Sequence, residues 1–485
     1  MAASTVSPAI ASTPELPQPT KTAAPQKFQP QQQPTTDVTA QPSAVQPANP
    51  SFAGGTPAAF GTTPTANQVS VLGQRFTQGV TVTTSPLLGL RSAYDASDLV
   101  VNLSTMNEDL RLLEQRQLAD EQLREQGLPT IALDRPLVTI SGTIEGQGQF
   151  QAPYEGSSTS TINLSRVRFD VLSYVSTWVL GLINMQYDDA PLPSNVLGTG
   201  DVVNNSRVKV QRGFLTIGNL DRLPVYFSVG QMYAPYGQYS TQMLSNPITE
   251  SIGQVNQRMA LLGLSKSGFY GSVYGFSGST QPSGSNTINN GGLNLGIKHS
   301  FKRFTADVGG GYILNIADSL GMQNTGASFP NFFGFSATSE TEVIQHSVPG
   351  ANLHGSIATG PYTFIGEYIG TTKTFSFSDL SFNNRGARPE AMHFEAQRDF
   401  DIFTKPTVIS IAFDKSWQAL GLNLPQYSYT ADINTSIWKN TIETLEFRHD
   451  SNYQSSDVAG GNGSLVEHSL GSSQNTLLGQ IGIYF

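Results

Sequence analysis

The sequence predicts an all-β protein, a transmembrane antiparallel up-and-down β-barrel of about sixteen strands. Three observations predict this fold class. From Leu137 onward apolar and polar residues alternate with a period of two, and the connections between these segments alternate between short and long. The chain also ends on an aromatic residue, Phe485, at the close of an alternating segment.

The segment 138–150 shows the alternation clearly, because one of its faces is apolar or glycine and the other is wholly polar. Strands of this kind face lipid on one side and a polar interior on the other. Many similar segments follow, and most have roughly the ten residues that a tilted strand needs to cross a membrane. The further segments are 161–175, 177–188, 206–219, 223–232, 256–266, 268–279, 290–301, 304–317, 348–360, 361–374, 388–399, 404–416, 427–437, 439–451 and 474–485.

The connections between the segments fall into two classes. Short joins such as 302–303 and 438–440 alternate with long stretches rich in Gly, Asn and Ser, such as 318–347 and 452–473. Short turns at one end and long loops at the other are typical of outer-membrane barrels. An even number of strands places both ends of the barrel on the side of the short turns, where the N-terminal region would lie.

The last segment carries a separate signal. Leu477, Gly479, Ile481, Ile483 and Phe485 place apolar residues or glycine at every second position up to the aromatic end of the chain. This pattern resembles the closing strand that the outer-membrane assembly machinery reads. Ile481, Ile483 and Phe485 are therefore the predicted assembly signal, and the assembly machinery and outer-membrane lipid are predicted partners.

Two regions precede the barrel, which we assign to 137–485. Residues 1–85 are rich in Pro, Gln, Thr, Ala and Ser, so they cannot bury enough apolar surface to fold, and we predict disorder. Residues 97–127 predict an α-helix, capped by Ser97 and ended by Gly127, in the periplasm.

The helix has apolar residues at heptad spacing, namely Leu99, Leu103, Met106, Leu110 and Leu113. One interpretation is a short coiled coil that makes a homo-oligomer through residues 99–113. The other is a single helix folded back against the barrel or the periplasmic wall. The spacing does not separate these two interpretations.

Composition excludes several classes of function. The chain has no Cys, a net charge of −9 and no basic cluster, which argues against thiolate chemistry and nucleic-acid binding. The six histidines are scattered, and neither an HExxH nor a GxSxG motif occurs. His449 and Asp450 are the nearest approach to a catalytic pair, but neighbouring strand residues point to opposite faces. We therefore predict no enzyme activity, metal site or cofactor.

If the apolar side of each strand faces lipid, the other side faces the lumen and carries charges of both signs. Such a lumen is a polar channel, and Arg166, Arg168, Lys209, Glu395 and Arg448 are its candidate substrate-binding residues. The alternative interpretation is that these charges only solvate the pore and stabilise the wall as ion pairs. The inward set also contains Glu145, Asp170, Lys298, Asp307, Glu367, Asp414, Asp432, Glu446 and Asp450.

A tyrosine-dense segment, 228–239, leads from a strand into a long connection that ends near Arg258. A long loop at this stage of a porin often folds into the barrel and narrows the pore. Tyr233, Tyr236, Tyr239 and Arg258 are therefore candidates for a constriction that selects by ring contacts and hydrogen bonds. The alternative is an external loop packed on itself.

The layout and the run Gly-Gln-Met-Tyr-Ala-Pro-Tyr-Gly at 230–237 resemble the legiobactin-receptor (LbtU-like) family of siderophore receptors. The resemblance covers most of residues 97–485 and implies a TonB-independent barrel of sixteen strands that takes up iron. Residues 1–135 agree with this, since they hold a low-complexity tract and one helix in place of a packed plug domain. No family motif assigns binding residues.

The leading hypothesis is an outer-membrane, plug-less, porin-like receptor for a ferric siderophore, with its N-terminal region in the periplasm. A second hypothesis is a general or anion-tolerant porin whose coiled coil sets the oligomeric state. A third is a structural barrel that tethers a periplasmic arm to peptidoglycan or to a secretion complex.

Overall fold

The computed structural model describes residues 81–84, 106–125, 137–189, 206–280, 287–323, 344–438, 440–460 and 466–485. Sixteen long strands make up most of this part of the chain, and each matches one of the alternating segments of the sequence. In chain order they are β1 Leu137–Ala152, β2 Thr159–Tyr174, β3 Val179–Asp189, β4 Ser206–Gly218, β5 Val225–Tyr233, β6 Asn256–Lys266, β7 Phe269–Phe276, β8 Asn290–Ser300, β9 Thr305–Ile313, β10 Gly350–Thr359, β11 Tyr362–Thr371, β12 Glu390–Ile402, β13 Lys405–Trp417, β14 Tyr427–Thr435, β15 Thr441–Ser451 and β16 Ser473–Tyr484.

The strands form one closed antiparallel barrel, in which each strand pairs with the next and β16 pairs with β1. At this seam the Gly142 amide donates to the Phe485 carbonyl at 2.7 Å, and the Phe485 amide donates to the Gly142 carbonyl at 3.1 Å. Closure leaves no sheet edge open to lipid, which a barrel in a membrane requires. The predicted fold class is confirmed.

The connections sort by length as the sequence predicts. Those after even-numbered strands are short turns, which define the short-turn end of the barrel, and β1 starts and β16 finishes at this end. Those after odd-numbered strands define the long-loop end, for example 234–255 and 372–389. There a small sheet joins two loops through Ser381–Phe382, Arg385–Gly386, Val458–Gly460 and Val466–His468.

The outer face of the barrel is an apolar belt. Leu295, Phe394, Ile411 and Leu445 are each more than half exposed there, as expected for side chains that contact lipid. Aromatic side chains flank the belt, with Trp178 and Trp438 at the short-turn end and Trp417 at the long-loop end. Aromatic girdles of this kind mark the two membrane interfaces. The chain is therefore an outer-membrane β-barrel.

Thr81–Thr84 forms a short strand parallel to the start of β1, in register with Leu137–Ile140. The seam with the end of the chain begins at Gly142, which is hydrogen-bonded to Phe485, so the residues of β1 before Gly142 have a separate edge that this strand covers. The prediction of disorder throughout 1–85 is therefore wrong for these four residues, whose β-branched side chains favour a strand. The rest of that tract lies outside the described residues.

The main helix, α1, spans Glu108–Glu125, and two short helices follow, α2 at Ile248–Gly253 and α3 at Leu320–Gln323. A helix is found inside the predicted range 97–127, but it begins only at Glu108, because Met106 and Asn107 form a turn in which Asn107 has φ 51°. The predicted start at Ser97 lies outside the described residues. Within the described part of the chain, none of the helices has the length and apolar character needed to cross a bilayer.

The seam makes a testable prediction about Phe485. Its ring lies over Gly142, where an added Cβ would sit 2.6 Å from the Phe485 Cζ atom. The ring therefore fills the space that a side chain at position 142 would occupy. Phe485→Ser is expected to lower the amount of folded, heat-modifiable protein in the membrane severalfold, because the closing contact and the terminal signal are lost together. Phe403→Ser, at a 92% exposed aromatic in a turn of the same end, is the control. Equal levels of folded protein in the two variants would refute the role of Phe485.

Candidate functional site

The inner face of the barrel is polar and charged. All fourteen charged residues assigned to the lumen by strand parity lie on this face, since each is paired with another inward residue across the ladder. Many of them are buried, among them Glu145, Asp170, Glu367, Glu395 and Glu446. Burial on the inner face of a wide barrel means that other parts of the chain fill the space beside them.

The first filling segment is loop L3, residues 234–255, which enters the barrel from the long-loop end. Its backbone is held by Glu367 of β11, whose carboxylate accepts hydrogen bonds from the Gln238 amide at 2.7 Å and the Tyr239 amide at 3.1 Å. The Thr249 hydroxyl donates to the same carboxylate at 3.0 Å. One wall residue therefore anchors both the start and the helical end of L3.

Glu395 of β12 repeats this arrangement further along the wall. Its carboxylate accepts hydrogen bonds from the Thr241 hydroxyl at 2.6 Å and the Gln242 amide at 2.9 Å. Glu395 was predicted as a substrate-binding residue, and the structure places it instead under L3. His393 lies between Glu395 and Asp414, with its ring nitrogens 3.3 and 2.9 Å from their oxygens.

Glu446 of β15 and Asp414 of β13 complete the attachment. Glu446 accepts from the Leu244 amide at 2.5 Å and the Ser245 amide at 3.2 Å, and Asp414 accepts from the Ile248 amide at 3.2 Å. A hydrogen bond to a charged group contributes about 1.5–3 kcal/mol. Four wall carboxylates thus hold L3 inside the barrel, which settles the choice between an internal and an external loop.

The predicted tyrosines belong to L3 or its entrance. Tyr236 is fully buried, and the Tyr239 hydroxyl donates to the Tyr236 carbonyl at 2.6 Å. Between them Gly237 has φ 86°, and the Tyr239 ring occupies the place of a Cβ there, so only glycine fits this bend. Tyr233 is also buried, with its ring 5.9 Å from the Arg212 guanidinium. These tyrosines pack L3 in place, and their rings are covered.

The second filling segment is α1. Asp109 accepts a hydrogen bond from the hydroxyl of Ser228 on β5 at 2.6 Å, and Glu108 lies 2.5 Å from the Arg212 guanidinium on β4. Further along the helix Glu114 accepts from the Ser265 hydroxyl of β6 at 3.1 Å. These wall residues all point inward, so α1 lies inside the barrel, from its middle towards the short-turn end.

Apolar contacts seat the same helix. Leu110, Leu112 and Leu113 are at most 5% exposed and belong to one buried cluster with inward apolar residues of the wall. The wall residues of this seat are Leu172 and Tyr174 of β2, Leu180 and Leu182 of β3, Phe214 of β4 and Tyr226 of β5.

The predicted periplasmic position is wrong for the part of α1 around 106–116, and its heptad residues serve no coiled coil there. Met106, Leu110 and Leu113 face the barrel wall because inward apolar residues provide the surface that a partner helix would otherwise supply. The other two seam positions, Leu99 and Leu103, lie outside the described residues. The alternative of a single helix against the barrel is the correct one, although on the inner side.

Neither segment covers all of the candidate arginines. Arg166 of β2 keeps 44% of its side chain exposed, and its nearest carboxylate, Glu145, is 3.7 Å away. Arg168 and Arg448 are each paired more closely within their own strand, at 2.9 Å to Asp170 and 2.8 Å to Asp450. Of these three arginines, Arg166 is therefore the most available to a passing anion.

The remaining candidates differ in position. Lys209 pairs across the sheet with Gln186, points inward and lies towards the long-loop end of β4. Arg258 shares the outer face of β6 with Ala260, Leu262 and other exposed residues, so it does not line the lumen. The assignment of Arg258 to the constriction is corrected here. Its strand has apolar residues on both faces, which hides the direction of each side chain.

Arg212 is a lumen residue that the sequence analysis missed. It is 1% exposed, and it lies between Glu108 of α1 and the ring of Tyr233. A β-bulge at Gln211 shifts the register of β4 against β3, so a strict period of two assigns Arg212 to the wrong face. No sequence signal marks such a bulge reliably.

Glu250 of α2 is the charged residue of L3 that interacts across the lumen with Arg166. Burial raises the pKa of Glu250 to about 7, although the hydrogen bond from Gln254 at 2.5 Å and the charge of Arg166 act against this rise. The charge of Glu250 inside the barrel therefore changes near neutral pH, within the electrostatic influence of Arg166.

His449 and Asp450 provide no catalytic pair. His449 points outward, where its ring lies 2.8 Å from the Asn475 side chain, whereas Asp450 points inward and accepts from Arg448. The expected separation of these two side chains on opposite faces is confirmed.

Comparisons with known proteins identify close relatives of the chain. A UPF0422 protein of Coxiella burnetii is 36% identical over 408 residues, which covers 82% of this chain and 83% of the relative. A UPF0422 protein of Legionella pneumophila is 36% identical over 418 residues, covering 84% and 77%. No model of a known protein family matches. These relatives do not test the resemblance to legiobactin receptors, which stays a prediction.

Solved structures with a similar arrangement are outer-membrane proteins. OmpF of Salmonella typhi, solved with daunomycin, has a TM-score of 0.46 and 12% identity, with 72% of this chain and 97% of that chain covered. OmpT of Vibrio cholerae has a TM-score of 0.44 and 10% identity, with 72% and 98% covered. Likeness at this level carries over no binding property.

The raised pKa of Glu250 predicts that the ion preference of the channel depends on pH. The pKa of Glu250 is raised on folding, so the neutral carboxyl favours the docked loop, and this contribution is lost as pH rises through about 7. Between pH 6 and pH 8 the Glu250 carboxyl loses its proton and becomes negatively charged. The ratio of chloride to potassium permeability should therefore fall. Reversal potentials in a KCl gradient measure this ratio. Glu250→Gln should abolish the change, and an equal change in that variant would assign the effect to another group.

Proposed function

The chain belongs to the family of UPF0422 proteins, and we propose that it is a gated outer-membrane channel for an anionic ferric siderophore. The carboxylates of such a chelate would be held by inward arginines, and the channel would act without TonB. The observation that carries this proposal is Arg166, a lumen cation whose side chain is 44% exposed and lies 3.7 Å from Glu145, in a barrel whose lumen also holds L3 and α1.

The arrangement of the arginines supports an anionic cargo. Arg166 and Arg168 stand two residues apart on the same face of β2, so their guanidinium groups follow the path through the lumen. Guanidinium groups bind carboxylates through two parallel hydrogen bonds, which adds specificity as well as affinity. An arginine facing lipid near the midplane would cost about 2–4 kcal/mol, so the inward position is also the stable one.

The presence of L3 and α1 inside the lumen supports a gated receptor over an unselective one. Sixteen strands enclose an aqueous channel when the lumen is unoccupied, and here L3 and α1 both occupy it. A large chelate passes such a barrel only if one of the two segments moves. This requirement connects the transport of a specific cargo to a conformational change.

A general, anion-tolerant porin is the second candidate function. It is favoured by the carboxylates that stand beside each arginine, since Glu145, Asp170 and Asp450 reduce the net positive potential of the wall. Such a channel would pass small anions at similar rates and would not saturate with one chelate.

The experiment that separates these functions changes Arg166 and Arg168 to Gln together. Uptake of radioactive ferric citrate per folded barrel is measured at low and moderate salt. We expect a loss of about tenfold, because one strong charge-assisted contact is worth about 1.5 kcal/mol or more, and a weaker dependence on ionic strength. Heat-modifiability measures the amount of folded barrel.

Arg258→Gln is the matched control, since it removes the same charge from the outer face of the wall. It should leave both uptake and its salt dependence unchanged. Equal uptake per barrel in the double variant and the wild type would contradict the role of the two arginines. Unsaturable uptake of many small anions would favour the general porin.

A further inference from the structure

We propose that α1 is the gate of this channel, and that Glu108 and Asp109 occupy, in the closed state, a carboxylate-binding site made by Arg212 and Ser228. In the open state α1 withdraws from the wall, and two carboxylates of the transported anion take the place of Glu108 and Asp109. This inference rests on the proposed transport of an anionic chelate and names its binding site.

The surroundings of Arg212 form a site for an anion. It is 1% exposed on the inner wall, and its guanidinium meets the Glu108 carboxylate at 2.5 Å. Among the described residues none accepts a hydrogen bond from the Arg212 Nε atom, so the guanidinium has donor capacity left. The neighbouring wall carboxylate, Asp170, already accepts from Arg168 at 2.9 Å and from Asn184.

Ser228 supplies the second position of the site. Its hydroxyl donates to Asp109 at 2.6 Å and lies 2.9 Å from the Thr216 hydroxyl. Glu108 and Asp109 are adjacent, so the wall holds two neighbouring carboxylates of its own chain. A ligand with two neighbouring carboxylates matches this spacing. Burial raises the pKa of Asp109, which shows that its charge is held at a cost.

The apolar seat explains why the gate is closed without ligand. Burial of Leu110, Leu112 and Leu113 stabilises the inserted helix, because it removes their apolar surface from water. Withdrawal exposes these residues and the wall residues beneath them. The inserted state therefore dominates until another interaction compensates for this loss.

Ligand binding and insertion of α1 exclude each other, because Glu108 and the ligand require the same face of Arg212. A ligand that binds only the withdrawn state shifts the population toward that state. A polycarboxylate anion thus opens the gate through the site that selects it. A purely structural helix would instead remain inserted at every ligand concentration.

The test locks the helix to the wall. The chain contains no Cys, so Asp109→Cys combined with Ser228→Cys introduces the only two thiols, at positions whose side chains are in contact. Because the gate is closed without ligand, conductance in KCl is measured in planar bilayers with citrate present, first under oxidising and then under reducing conditions. We expect the oxidised protein to conduct severalfold less than the reduced protein, whereas each single Cys variant should be insensitive to the redox change.

A second double-Cys variant keeps the test decisive if the first one does not fold or does not form its disulfide. Glu114→Cys with Ser265→Cys places two thiols nearer the short-turn end, and a short bifunctional thiol reagent bridges them. Heat-modifiability confirms the fold of each variant. If neither crosslinked pair changes the conductance, α1 is a fixed part of the lumen and the gate is refuted.

Citrate is the probe for the site itself. Added to wild-type channels, it should raise the open probability, and it should have no effect on the disulfide-locked protein. Arg212→Gln should abolish the response to citrate. An equal citrate response in Arg212→Gln would refute the assignment of the site. Because KCl conductance needs no iron, these outcomes are independent of whether ferric chelates are the natural cargo.

Discussion

A barrel of sixteen strands encloses more space than its own wall residues can fill. The structure depends on how this protein uses that space, namely by carboxylates of the inner wall that accept hydrogen bonds from its own backbone. Glu367, Glu395, Glu446 and Asp414 bind amide groups of L3, and each carboxylate is itself buried by the loop it holds. A charge in such a place is tolerated only while its partners remain, so loop and wall stabilise each other.

The part of the wall that contacts α1 is apolar where the part that contacts L3 is charged. Strands β2 to β5 present apolar residues inward, which is unusual for a water-filled channel, and α1 covers them. Polar contacts at Arg212 and Ser228 then fix the position of the helix along the axis. L3 is thus held by several charge-assisted hydrogen bonds to the wall, whereas α1 rests mainly on an apolar surface, with polar contacts at Glu108, Asp109 and Glu114. This difference makes α1 the better candidate for movement.

The strands were predictable because lipid on one side and polar groups on the other impose a period of two along each strand. The positions of L3 and α1 were not predictable from local patterns. Glu367 and Gln238 are 129 residues apart in the chain, and no local feature connects them. The heptad seam of α1 looks the same whether its partner is another helix or an apolar wall. The predicted faces of Arg258 and Arg212 were wrong for local reasons. Arg258 lies on β6, which has apolar residues on both faces, and Arg212 follows a bulge in β4.

Wall carboxylates hold L3 inside the barrel. Hydrogen exchange of the folded protein in detergent micelles tests this attachment most directly, at the amides of Gln238, Tyr239, Gln242 and Leu244. These amides donate to Glu367, Glu395 and Glu446, and they should exchange as slowly as the strand amides. In Glu367→Gln the first two should exchange much faster while the strands keep their protection. Exchange of all four within seconds in the wild type would show a loop free in solvent and would contradict the account.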